Sequence, residues 1–215
     1  MVILGIDPGL AQTGYGLVDY TQRRFQVRAY GAIRTPADHS TAQRVAQIHA
    51  KVAELIAVHQ PEVLVMEQLF TLRSGSTALS IGQAMGVILL AAAQAEVPVV
   101  QYAPPQIKQA VVGYGDATKE QVQYMVQRIL KLPEPPSPAH AADALAMCIC
   151  HVHTALGALQ SALPSPTPQR AQLEAALAQT GPSKRLKDRI AAALEAEEKR
   201  RQAYRARKDE KDHGE

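Results

Sequence analysis

The chain of 215 residues is 47% hydrophobic, enough for a sizeable core, and carries 23 Lys and Arg against 20 Asp and Glu, a net charge of +3. Eleven residues of each sign precede Pro168, leaving 12 basic and 9 acidic for the last segment. The part expected to fold is therefore neutral, which excludes a globally basic nucleic-acid binder; any such affinity must come from local patches. The two cysteines, Cys148 and Cys150, are two residues apart on an expected helix. They point to opposite faces, cannot bridge each other, and read as reduced core residues of a cytoplasmic protein. No signal peptide is expected ahead of the first strand. The apolar stretch VILLAAAQAEVPVV is broken by Gln94, Glu96 and Pro98 and is expected to be too short to span a bilayer, so no membrane association is expected.

In chain order, MVILGID is an apolar, β-branched strand ending in Asp7, and Pro8-Gly9 turns the chain. A charge at that position is costly unless paired. Asp7 either caps the loop amides or is a metal or phosphate ligand aimed into a cleft. TGYGLVDY and FQVRAYGAIRT follow as strands two and three of an antiparallel meander. STAQRVAQIHAKVAELIAVHQ has helical spacing, with Val45, Ile48, Val52, Leu55 and Ile56 on one stripe and Ser40 or Thr41 as the cap. PEVLVMEQLF is a fourth strand ending in Glu67, SGSTALSIGQAMGVILLAAAQA a long helix, and VPVVQYAP a fifth strand. PPQIKQAVVG and TKEQVQYMVQRILKL are two helices, and SPAHAADALAMCICHVHTALGAL is the last. Strands alternate with helices after residue 40, so part of the sheet is expected to be parallel. Residues 1–160 are assigned to the folded domain. Pro164, Pro166 and Pro168 open a linker, and the Ala-, Glu-, Lys- and Arg-rich remainder of 161–215 is expected to be a charged, disordered tail.

Acidic groups in the apolar elements fall at telling places. Asp7 and Glu67 end strands one and four, which, if adjacent and parallel, set the two carboxylates side by side. His140 and Asp143, three apart, share a face near the start of the last helix. Each has an ordinary reading alone: a turn aspartate, a strand-end glutamate paired with arginine, an exposed helix-start histidine, an aspartate favouring the helix dipole. Together they form a set of oxygen ligands and one imidazole able to hold divalent cations, without which clustered carboxylates are unfavourable.

The segments GIDPGLAQTGYG, VMEQLF, IGQAMGV, KQAVVGYGDATKEQVQ and HAADALA, in this order and at this spacing, resemble the RuvC family of Holliday junction resolvases. The resemblance covers roughly the first 155 residues. It implies a ribonuclease H-like α/β fold: a five-stranded mixed sheet, three antiparallel edge strands and then parallel strands, flanked by helices. It also implies a crossover junction endodeoxyribonuclease of recombination and repair, acting as a homodimer with two Mg2+ or Mn2+ ions per site. The partners implied are four-way junction DNA and the branch-migration proteins RuvA and RuvB. Asp7, Glu67 and Asp143 match the family's catalytic metal-binding carboxylates. His140 stands where many relatives have aspartate and others histidine. Lys108 and Lys119 match DNA-facing positions, and Phe70 an aromatic that stacks on bases at the crossover. Arg73, in the same polar loop as Phe70, is expected to touch phosphate. The Gly82–Gly86 spacing permits close helix approach, and this helix is assigned to the dimer interface, with tight packing on the sheet as the alternative.

Three other readings compete. An actin- or Hsp70-like nucleotide-binding protein also opens on strand, aspartate and glycine turn, but needs a second lobe for which this chain is short. A non-catalytic junction-binding module would lack a ligand, whereas all four site positions here are ligand-capable. A ribonuclease H-like nuclease acting on RNA is opposed by Phe70 and the two lysines.

Overall fold

The computed structural model describes residues 1–68 and 75–162, so Phe70, Arg73 and the tail lie outside the described residues. Contacts divide the chain into Met1–Ala158 and Leu159–Glu215. Three antiparallel strands open the first unit: β1 (Val2–Asp7), β2 (Gln12–Thr21) and β3 (Arg24–Arg34). Then come α1 (Thr41–His59), β4 (Val63–Glu67), α2 (Gly75–Gln94), β5 (Val99–Tyr102), α3 (Pro104–Val112), α4 (Lys119–Leu130) and α5 (Ala139–Ala162). The sheet order is β3-β2-β1-β4-β5, with β4 parallel to both β1 and β5. This is the expected five-stranded mixed sheet.

Strand alternation divides the core between the two sheet faces. Leu4 and Ile6 of β1 and Leu64 and Met66 of β4 pack with Ile48, Val52 and Ile56 of α1 and Ala84, Ile88 and Ala92 of α2. Ile3, Val63 and Val65 face the other way and pack with α3, α4 and α5, including Leu145, Met147 and Ile149. Asp7 continues the Ile3–Gly5 series and Glu67 the Val63–Val65 series, so both carboxylates belong to the face that α5 covers.

Helix starts are set locally. Ser40 caps α1, its hydroxyl accepting from the Gln43 N–H while Gln43 answers through the Ser40 N–H. Thr118 and Gln121 repeat that box on α4, which makes Lys119 its first residue. Both cysteines are free and buried, and burial pushes the Cys148 thiol up to about 12, so it stays protonated and packs as a small apolar group.

One expectation needs correcting. A window within α2, Thr77–Gln94, is 18 residues long with a mean hydropathy of 1.5, enough by length and composition to cross a membrane. The apolar run was judged too short because it was counted from Val87, whereas the helix starts at Gly75. One face of α2 is covered by the sheet and α1, with Ala84, Met85, Ile88, Ala91 and Ala92 buried. Another face leaves Leu79, Leu89 and Leu90 exposed.

Candidate active site

The pairing register builds the site's floor. Asp7 lies opposite Gly14 of β2, and the parallel pairing of β1 with β4 runs to Ile6 opposite Met66, one step before Asp7 and Glu67. The roof is α5, which rests on bare backbone. A Cβ on Gly5 would strike the Ala144 carbonyl and Cys148, and one on Gly14 the His140 carbonyl. Glycine at these two positions lets the first turns of α5 lie against β1 and β2, bringing His140 and Asp143 over Asp7.

His140 Nδ1 lies 2.6 Å from Asp7 Oδ2. Ligand atoms of Asp7, His140 and Asp143 all fall within 4.8 Å of one another. Asp143 Oδ2 accepts from Lys119 Nζ at 2.8 Å. Glu67 and Asp143 line a hollow of about 210 Å³ together with Lys108, Lys119 and the apolar Ile107, Val122 and Met147. The structure thus brings together Asp7, His140 and Asp143 directly, and Glu67, Lys108 and Lys119 around the adjoining hollow. Phe70 and Arg73 fall outside the described residues.

The electrostatics record an excess of negative charge. Burial, and then the charges of Asp7 and Asp143, raise the Glu67 carboxyl above the usual glutamate range. Among the described residues it makes no hydrogen bond. The Asp143 carboxyl is raised too: burial, with Asp7 adding, prevails over the Lys119 ammonium and the His140 imidazole. The hydrogen bond to Asp7 raises His140, and that to Asp143 raises Lys119. Lys119 is thus a cation bonded directly to the cluster, and His140 is the imidazole bonded to Asp7. Three carboxylates and an imidazole, one carboxylate without a hydrogen bond, form a donor set suited to a divalent cation.

Sequence reasoning missed three features. The direct bond of Lys119 to Asp143 was not anticipated, although Thr118-x-x-Gln121 signals the helix start that positions the lysine. Gly5 and Gly14 carried a legible signal as small residues inside strands. The third is a pair of buried threonines behind loop 9–12. Thr13 Oγ1 donates to the Gly9 carbonyl at 2.7 Å and Thr35 Oγ1 to the Leu10 carbonyl at 2.6 Å. They hold the turn that follows Asp7, and isolated threonines in strands give no hint of that role.

A meander continued by parallel strands, with carboxylates at the ends of two adjacent strands beneath a helix, defines a ribonuclease H-like protein with a nuclease-type acidic site. Residues 3–151 match the family described as crossover junction endodeoxyribonuclease RuvC. The chain belongs to that family. A relative from Pelotomaculum thermopropionicum bearing that name is 50% identical over 153 residues, covering 71% of this chain and 93% of its own length. One from Heliobacterium modesticaldum is 53% identical over 154 residues, covering 72% and 95%. The solved structure of T. thermophilus RuvC in complex with Holliday junction substrate superposes with a TM-score of 0.69 at 40% identity, over 72% of this chain and 94% of that one.

Proposed function

We propose that this chain is a divalent-metal-dependent endonuclease that resolves four-way DNA junctions by paired, symmetric nicks in recombination and repair. The observation that carries this reading is the convergence of Asp7, His140 and Asp143 from segments more than 130 residues apart, with Glu67 on the neighbouring strand end. In this reading these four side chains hold two Mg2+ or Mn2+ ions. Such ions, when bound, activate the attacking water and stabilise the leaving oxygen.

The chain's own groups divide the remaining work. Glu67 and Asp143, poorly solvated as anions, strengthen cation binding because a cation relieves their burial and mutual repulsion. Lys119, bonded to Asp143 here, has a second anionic partner in a phosphate brought to the hollow, and Lys108 lines the same hollow. Phe70 is assigned to stacking at the opened crossover and Arg73 to a phosphate.

Two active sites per junction call for a two-fold dimer. The exposed stripe of α2 supports one. Leu79, Leu89 and Leu90 are 64%, 38% and 49% exposed, and a Cβ added at Gly82 or Gly86 meets nothing among the described residues within 4 Å. Those glycines therefore do not serve packing on this chain's own sheet and are open to a second helix. Residues 1–160 form the nuclease domain in this reading and 161–215 a linker and tail. Cytoplasmic location fits the two free buried thiols, and RuvA and RuvB are the implied partners. Family membership favours DNA over the RNA-processing and actin-like alternatives.

The test incubates the full chain with a mobile four-way junction and a linear duplex of matching sequence, with and without Mg2+ or Mn2+. Cleavage confined to the junction and to metal-containing reactions is expected. Equal cleavage of both DNAs, or cleavage in chelator, contradicts the reading.

A further inference from the structure

A second hollow adjoins the acidic cluster at His140. Its volume is about 490 Å³, and it shares no lining residue with the hollow of Lys108 and Lys119. Its walls are loop 9–12, the α2 residues Thr77, Ser80 and Ile81, and Arg44 of the first turns of α1. Among the described residues, Arg44 is the only arginine or lysine lining it.

Arg44 is half-buried, and no carboxylate among the described residues lies within ion-pair distance of it. It is nevertheless held in place. Its Nε donates to Thr35 Oγ1 at 2.8 Å. Thr35 is 7% exposed, and its own proton goes to the Leu10 carbonyl at 2.6 Å. The hydroxyl is thereby committed as an acceptor toward Arg44. With Nε occupied, the two terminal nitrogens make no hydrogen bond among the described residues, and such a pair can grip a phosphate bidentately. The first turn of α1 contains no acidic residue, so the positive end of that helix is uncompensated as well.

We propose that Arg44, locked by the Thr35–Leu10 relay, is a phosphodiester-binding position on the His140 side of the acidic cluster. It seats the backbone of the DNA strand that also runs past Lys108 and Lys119. This rests on the endonuclease reading above. The strand is then held by cations in both hollows, and the phosphate between them is presented to Asp7, His140 and Asp143. Arg44 acts on position, not on bond breaking. An arginine fixed before binding loses less side-chain freedom on contact than a free surface lysine does.

The test measures binding of the full chain to a four-way junction in chelator, as a function of NaCl, for the unchanged protein and for Arg44→Met, Arg44→Gln and Arg44→Lys. Each phosphate contact contributes about 0.9 to the slope of log affinity against log salt on duplex DNA. Arg44→Met and Arg44→Gln are each expected to lower the slope by about one, with roughly three- to tenfold weaker binding at low salt and unchanged thermal unfolding. Arg44→Lys keeps the charge and is expected to keep the slope. An unchanged slope in a folded Arg44→Met or Arg44→Gln overturns the proposal, as does weaker binding that tracks a loss of thermal stability, which makes Arg44 a brace for loop 9–12 only. If Met does not fold, Gln decides. Failure of the endonuclease reading looks different: the unchanged protein then shows no preference for the junction over a matching duplex, whatever Arg44 does.

Discussion

His140 Nδ1 and Asp7 Oδ2 lie 2.6 Å apart although 133 positions separate them in the chain. The contact joins the end of β1 to the first turn of α5, with the imidazole as the hydrogen-bonding partner of the aspartate. A metal ion at the cluster competes with that partnership, since a ligating imidazole must be neutral.

Asp7 raises the His140 pKa above its ordinary 6.5 in the folded protein. In metal-free protein the stabilisation from this pair is therefore fully present below 6.5 and is lost as pH rises through the raised folded value. If His140 ligates the metal, cleavage at limiting metal is expected to show the opposite dependence, falling as pH drops through that raised value because the imidazole then holds its proton. An imidazole among carboxylates also shifts preference from Mg2+ toward Mn2+. Rates in both metals across pH are expected to favour Mn2+. His140→Asp is expected to narrow the gap and lose less activity at acid pH. Identical metal ratios and pH profiles for the two proteins would remove His140 from the ligand set.

Glu67 offers a stability test. Its folded carboxyl titrates above the ordinary 4.5 because of burial and the nearby Asp7 and Asp143. The folded state thus takes up the proton more readily than the unfolded chain, and stability declines as pH rises from that ordinary value through the folded one. Glu67→Gln removes the penalty. In chelator at neutral pH this variant is expected to melt above the unchanged protein, yet to lose junction cleavage and most of the thermal stabilisation that added Mn2+ gives. A lower melting point in chelator would mean that the Glu67 carboxylate is held by a favourable contact.

Gly14→Ala probes the seating of α5. The added methyl meets the His140 carbonyl, so the first turn of α5 must shift from β2. A stability loss of about 1–3 kcal/mol is expected from the overpacking, together with a fall in cleavage larger than the fraction unfolded accounts for. Thermal melts and single-turnover rates separate the two effects. Full activity in the folded fraction would show that the helix start tolerates displacement.

Much of this was legible in the sequence because it depends on local pattern. The apolar run ending in Asp7, the matching run ending in Glu67 and the three-residue step from His140 to Asp143 each announce an element and a face. Their convergence followed once β1 and β4 were taken as parallel neighbours. The start of α2 was read within one residue, but its apolar window was misjudged because the membrane-length run was counted from Val87 and not from the polar-looking first turns that also belong to the helix. The Lys119–Asp143 bond depends on how α4 docks against α5, and the Arg44–Thr35–Leu10 relay on how the segment after β3 lies against the turn that follows Asp7. No periodicity in one segment carries that information.

The most direct measurement compares the unchanged protein with Asp7→Asn on a junction whose four strands are separately labelled, in Mn2+ and in chelator, with nicks mapped and binding measured in parallel. The expected result is a pair of nicks at symmetry-related positions on two strands of like polarity, in Mn2+ only. Asp7→Asn is expected to bind at least as tightly, since removing a negative charge cannot weaken attraction to phosphate, but to nick roughly 100-fold or more slowly. Unpaired nicks, or an Asp7→Asn rate within about tenfold of the unchanged protein, would contradict an acidic metal site centred on Asp7.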